Sequence, residues 1–202
     1  MFQTRIKSIR LPGYSQAELL VGFGLVALLT LSLLVIVNPF AGDDNEDIPS
    51  YRVANAMYIY NAISRQKVAL MNYIDMHGDL PGDSALPIMV DGRMIVGNGN
   101  QKIETENGEK DKVFPELFQS GVASQGYARI RSRDLELAWM VLKDGEKILG
   151  TGHFFKLSGI NALEARAYDR KYDDDSSDTG HVLYARNKTE GVDLFIKLDL
   201  YR

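Results

Sequence analysis

The chain has 202 residues, no cysteine and a formal charge of −4. That length accommodates one soluble domain of ordinary size with a short additional segment, and the lack of cysteine excludes disulfide staples and thiolate metal sites. The acidic balance argues against nucleic acid as a partner, because that ligand demands clustered lysine and arginine.

Residues 1–13 carry Arg5, Lys7 and Arg10 and no acid. The segment Leu-Pro-Gly-Tyr-Ser-Gln-Ala-Glu-Leu-Leu, residues 11–20, then runs into nineteen residues without a charge, Leu19 to Val37. At 1.5 Å per residue that run reaches about 28 Å as a helix, close to the hydrocarbon thickness of a bilayer. It is longer than the apolar core of a secretory signal, and Val37 to Ala41 offers no small-x-small cleavage site. Cations precede the span and Asp43, Asp44, Glu46 and Asp47 follow it. The positive-inside rule therefore places the N-terminus in the cytoplasm and the domain on the far side of an inner membrane. Glu18 stands at the edge of the span; a carboxylate drawn into the hydrocarbon costs up to roughly 2.5–3.5 kcal/mol and needs a partner.

Residues 39–50, bounded by Pro39 and Pro49 and rich in acid, read as a linker. From Tyr51 to about Met76 the spacing predicts an amphipathic helix whose core face is Val53, Met57, Tyr60, Ile63, Val68, Met71 and Ile74, with Gly78 as its cap and Pro81 preventing restart. Leu80-Pro81-Gly82-Asp83 predicts a tight turn with positive φ at Gly82 and with Asp83 accepting from nearby backbone amides. A short hairpin is expected over Ile88 to Val96, then a solvated charged loop from Glu104 to Lys112, then a short helix from Phe114 to a Gly121 cap. Strands are expected over Leu135–Leu142, Lys147–Leu149, His153–Leu157, Val182–Ala185 and Val192–Leu200, with a turn at Lys143-Asp144-Gly145-Glu146. A helix from Gly159 to Lys171 places Ile160, Leu163, Ala167 and Tyr168 on one face. The fold class expected is α+β: a membrane helix over 14–38, then a domain over 51–202 in which an amphipathic helix packs on a mostly antiparallel sheet.

The basic leader, the glycine–aromatic junction, Glu18 and the apolar run together resemble the N-terminus of type IV prepilins and pseudopilins. The resemblance implies cleavage between Gly13 and Tyr14 by a membrane aspartyl prepilin peptidase, methylation of the Tyr14 amine, and Glu18 as the fifth residue of the mature chain. Tyr14 replaces the usual phenylalanine, and Ser15-Gln16-Ala17 replaces the commoner Thr-Leu-Ile. Loss of residues 1–13 moves the formal charge from −4 to −7. The implied function is assembly rather than catalysis. Glu18 of one subunit pairs with the Tyr14 amine of the next, in a filament of the type IV pilus or type II secretion kind. Sibling pilins, an inner-membrane assembly platform and membrane lipid are the implied partners. The tyrosine-containing stretch from Tyr73 closing on Leu80-Pro81-Gly82-Asp83 is similar to a turn that follows the first helix in many of these proteins.

The densest cluster of chemistry is Asp169, Asp173, Asp174, Asp175 and Asp178, interleaved with Ser176, Ser177 and Thr179 and closed by Gly180. Hard oxygen donors at such spacing suit Ca²⁺, although the pattern is not an EF-hand. It resembles the Asp-x-Lys-x-Asp-Asp-Gly segment of pseudopilin-like proteins, with Asp175 where glycine is usual, and the calcium site of major pseudopilins implies the same ion here. The bland alternative is a solvated acidic loop. His77, His153 and His181 form no zinc pattern, and no Gly-x-Ser-x-Gly elbow or phosphate loop occurs, so no enzyme is expected. The rival reading is an unprocessed, signal-anchored periplasmic domain that binds a ligand or hydrolyses one. A further reading makes it an adhesin or DNA-uptake minor pilin at a filament tip.

Overall fold

The computed structural model describes residues 48–124, 129–185 and 191–200, together with Val26. The expected leader, the membrane helix, Gly13, Tyr14, Glu18 and most of the acidic linker lie outside these residues. The fold belongs to the second of two compact units, Glu46–Arg202. Among the described residues no helix is long and apolar enough to cross a membrane.

Helix α1 spans Ser50–His77, and Gly78 ends it in the left-handed conformation expected, with its N–H returning to the Ile74 carbonyl. Its buried face differs from the expected stripe. Val53, Ala56, Ile59, Ala62, Ile63, Gln66, Ala69, Leu70 and Tyr73 are inside, whereas Tyr60, Val68 and Met71 are exposed. The helix carries apolar residues on nearly every side, so periodicity alone leaves its rotation open. The choice falls to small residues, because Ala56, Ala62 and Ala69 allow close approach of a neighbour.

Strands β1 (Ile88–Val90) and β2 (Arg93–Ile95) form the predicted hairpin, with Asp91 and Gly92 both at positive φ in its two-residue turn. Helix α2 covers Glu109–Gln119, five residues earlier than expected at its start. Of the residues expected as a solvated loop, Glu109 to Lys112 begin this helix while 104–108 stay outside it, and Glu109 and Lys112 are fully buried with internal partners.

Strands β3 (Arg129–Ile130), β4 (Arg133–Asp144), β5 (Lys147–Ile160), β6 (Val182–Tyr184) and β7 (Val192–Leu198) form one antiparallel sheet in the order β3-β4-β5-β7-β6. The two strands expected on either side of Gly150-Thr151-Gly152 are a single strand, β5. Gly150 does not break it but makes room: a Cβ there would sit 3.1 Å from the Phe154 ring and 3.3 Å from Leu183. Helix α3, Ala162–Tyr172, is capped by Asn161, whose side chain accepts from the Leu163 N–H at 2.9 Å. The helix starts three residues later than expected, because Gly159 and Ile160 end β5. Ala167 and Tyr168 are buried on it as expected, Ile160 is buried as a strand residue instead, and Leu163 is exposed at the first turn. α1 packs along α3, α3 lies on β6 and β7, and α2 faces β1 and β4. The architecture is α+β, as read from the sequence.

Three buried carboxylates tie these elements together. Glu164 of α3 accepts from Arg52 and Asn55 of α1 at 2.8 Å each and from Arg133 of β4 at 3.3 Å. Burial pushes this carboxyl up, but the hydrogen bonds from Asn55 and Arg52 and the charge of Arg133 outweigh it and hold the group below its ordinary range. Glu116 of α2 accepts from the Tyr73 hydroxyl, the Gly82 N–H and the Ser84 hydroxyl, and Lys112 lies 3.4 Å away. Asp83 accepts from the N–H groups of Gly99, Asn100 and Gln101, the role predicted for it, and Gly82 has the expected positive φ of 93°. The Leu-Pro-Gly-Asp turn is thereby fastened to α2 and to the segment at residues 99–101.

Candidate metal centre

Residues 169–180 leave the C-terminal end of α3 and return to β6. Asp169 and Asp173 are one helical turn apart and so share a face, and the Asp173 N–H closes the helix on the Asp169 carbonyl at 2.7 Å. One carboxylate oxygen from each of Asp169, Asp173 and Asp174 lies within 4.8 Å of the other two. Three of the five predicted acids therefore converge. The other two are directed elsewhere: Asp175 faces Arg166 and Arg170 at 3.9 and 4.0 Å, and Asp178 pairs with Lys147 at 3.0 Å.

The loop is held by its own side chains. Asp174 accepts from the Ser176 N–H at 3.0 Å and the Thr179 hydroxyl at 2.7 Å. Asp173 accepts from the N–H groups of His181 and Val182 at 2.6 and 2.7 Å. Gly180 is required for that last arrangement, since a Cβ would fall 2.1 Å from an Asp173 oxygen. Asp175 itself takes the left-handed φ of 58° that favours glycine, at a cost of about 1 kcal/mol.

Asp169 is the unusual member. It is fully buried, with the Tyr184 hydroxyl as a hydrogen-bond partner. Burial first, and then the charges of Asp173, Asp174 and Asp175, push its carboxyl up to about 7, while the Tyr184 hydroxyl opposes the shift. A fully buried carboxylate with two more beside it fits a hard cation, since all three side chains offer the oxygen donors such an ion takes.

The histidines are placed apart from this centre or at its rim. His77 lies against Tyr73, with ring centroids 4.4 Å apart. His181 stands between Asp173 at 3.7 Å and Asp199 at 3.1 Å. His153 is buried on β5 with its Nε2 accepting from the Ile103 N–H at 3.2 Å and its ring edge-on to Trp139. Acceptance at Nε2 requires the neutral ring, and burial holds its protonation down at about 4. The unfolded ring protonates near 6.5, so stability is fully present above that value and falls as the pH drops towards 4, by roughly 3 kcal/mol in all. Asp169, raised instead of lowered, slopes the opposite way over part of the same range. The expected observation is therefore a difference: His153→Gln flattens the acid-side loss of melting temperature relative to the parent between pH 7 and 4. Identical slopes in the two proteins would contradict it.

Sequence reasoning missed Glu109, Lys112, Glu116 and Glu164 as internal anchors. Only Glu164 carried a signal, three residues after the N-cap Asn161 in the manner of a capping box, and its partners are arginines of other elements instead. Comparison with known proteins returned no matching family model and no significant match to a curated protein or to a solved structure.

Proposed function

We propose that this chain is a prepilin-like subunit, of the pseudopilin or minor-pilin type, that acts by assembly into a filament of the type IV pilus or type II secretion kind. The observation that carries the reading is Glu18 at the threshold of a nineteen-residue uncharged run, directly after a basic leader and the Gly13-Tyr14 junction. A plain anchor has no use for that carboxylate, whereas a neighbour's free Tyr14 amine neutralises it within the hydrocarbon. An α+β domain beginning with a long helix is consistent with this reading. Co-expression with a prepilin peptidase tests it: the parent chain shortens by its leader, and Gly13→Val stays full length. A parent chain that is never shortened would favour the signal-anchored alternative.

Within this reading, Asp169, Asp173 and Asp174 hold Ca²⁺ and lock the loop that joins α3 to β6. The ion supplies the positive charge that the buried Asp169 carboxylate lacks. Millimolar Ca²⁺ is expected to raise the melting temperature of the parent, by the mass-action stabilisation of any ligand specific to the folded state. Asp169→Asn should lose that response and, with chelator present, melt no lower than the parent, because it removes a buried charge. A parent chain whose melting is insensitive to Ca²⁺ would rule out the site.

A further inference from the structure

We propose that the arginine–tyrosine face at the start of α1 docks on anionic phospholipid headgroups. The face is built from three elements. On α1, Tyr51 and Tyr58 are exposed, and the Arg52 guanidinium lies 4.8 Å over the Tyr51 ring. From the turn between β3 and β4, Arg131 reaches the same helix, donating to the Asn55 side-chain carbonyl at 2.9 Å and covering the Tyr58 ring at 4.6 Å. Arg129 and Arg133 flank that turn, Arg129 with 68% of its side chain exposed. Two acids face these four arginines: Glu164, which is buried between Arg52 and Arg133, and Asp134 beside Arg129. The face is thus net positive on a chain of formal charge −4.

Two further observations point to a membrane surface as the occupant. Arg131 holds a left-handed φ of 58°, where glycine or asparagine would sit without strain, so this turn keeps an arginine against its backbone preference. The face also lies where the chain enters the domain. Ten residues separate Val37, the end of the uncharged run, from Ile48, and a fully extended tether of that length reaches at most about 40 Å. Exposed tyrosine and arginine are the side chains that settle at the headgroup level, with apolar stems inward and polar ends in water. Each basic residue near an anionic surface adds attraction that fades within a Debye length. The four acids of the tether, Asp43, Asp44, Glu46 and Asp47, repel the same headgroups, and the arginine face offsets them.

The inference rests on residues 19–37 spanning the membrane and is independent of processing or assembly. Because the chain lacks cysteine, single probes can be introduced into the full-length protein: Ser132→Cys within the face, and Glu146→Cys in the β4–β5 turn as a control. Each labelled chain is reconstituted into vesicles of phosphatidylcholine alone or mixed with phosphatidylglycerol, doped with a headgroup spin-labelled lipid. Quenching at position 132 should exceed that at 146 in the anionic vesicles and fall with added salt. Adding Arg129→Gln and Arg131→Gln should lower the docked population on the order of tenfold, with circular dichroism confirming an intact fold. Chains that float with the vesicles yet quench alike at both positions, whatever the lipid, would overturn the docking face alone. Chains that fail to float would overturn the membrane span and the docking face together.

Discussion

Glu116→Ala should remove a large share of the domain's stability, at a cost of about 3–5 kcal/mol against a total of about 5–15 kcal/mol. The reason is the company this carboxylate keeps. Lys112 and Glu116 are both almost wholly buried one helical turn apart on α2, and the Lys112 ammonium also donates to the Ser84 carbonyl at 2.6 Å and the Ser84 hydroxyl at 2.9 Å. Removing Glu116 leaves an ammonium in the core without its counter-charge and strips the acceptor from the Tyr73 hydroxyl, whose ionisation burial already pushes well up. It also frees the Gly82 N–H, so the Leu-Pro-Gly-Asp turn loses its hold on α2. The paired replacement Lys112→Met with Glu116→Leu removes both charges together and should be much milder than Glu116→Ala alone. Urea midpoints of the three proteins check this. A single variant no less stable than the double one would show that the network contributes little.

Glu18→Ala should leave leader removal intact and cut incorporation into a filament on the order of 100-fold. The arithmetic follows from the charge: an amine left unpaired inside hydrocarbon costs roughly 2.5–3.5 kcal/mol, and each 1.4 kcal/mol is a factor of ten. Glu18→Gln should be impaired as well, since an amide cannot neutralise the Tyr14 amine. Pull-down of untagged by tagged subunits from cells that express the assembly machinery reads the effect. Normal incorporation of Glu18→Ala would mean that the glutamate has no partner in a neighbouring subunit.

Local turn chemistry was legible in the sequence wherever a single residue type decides the backbone. Gly82, Gly78 and the amide-accepting Asp83 take the roles predicted for them, and the hairpin expected over Ile88 to Val96 forms, its turn at Asp91-Gly92 being supplied by the structure. The α+β class followed from one helical period and several alternating runs. The rotation of α1 was not legible, because the helix offers two apolar faces and only its neighbours select the one rich in alanine. The start of α2 was hidden for the opposite reason: Glu109 and Lys112 look solvated in sequence and are internal in the fold, their partners Glu104, Asn98 and Ser84 lying up to 28 residues away. At the candidate metal centre, the one-turn spacing of Asp169 and Asp173 was readable, and Asp174 follows from it. The diversion of Asp178 was not, since its lysine partner lies 31 residues upstream on β5.

The mature N-terminus is the most direct test of the central claim. Intact mass and N-terminal sequencing of the protein from its native membranes, in cells with and without prepilin peptidase, are expected to give a chain that starts at Tyr14 and carries one added methyl group only where the peptidase is present. A chain that starts at Met1 in peptidase-positive cells would contradict assembly through Glu18 and leave a signal-anchored domain whose function must be sought in its soluble fold.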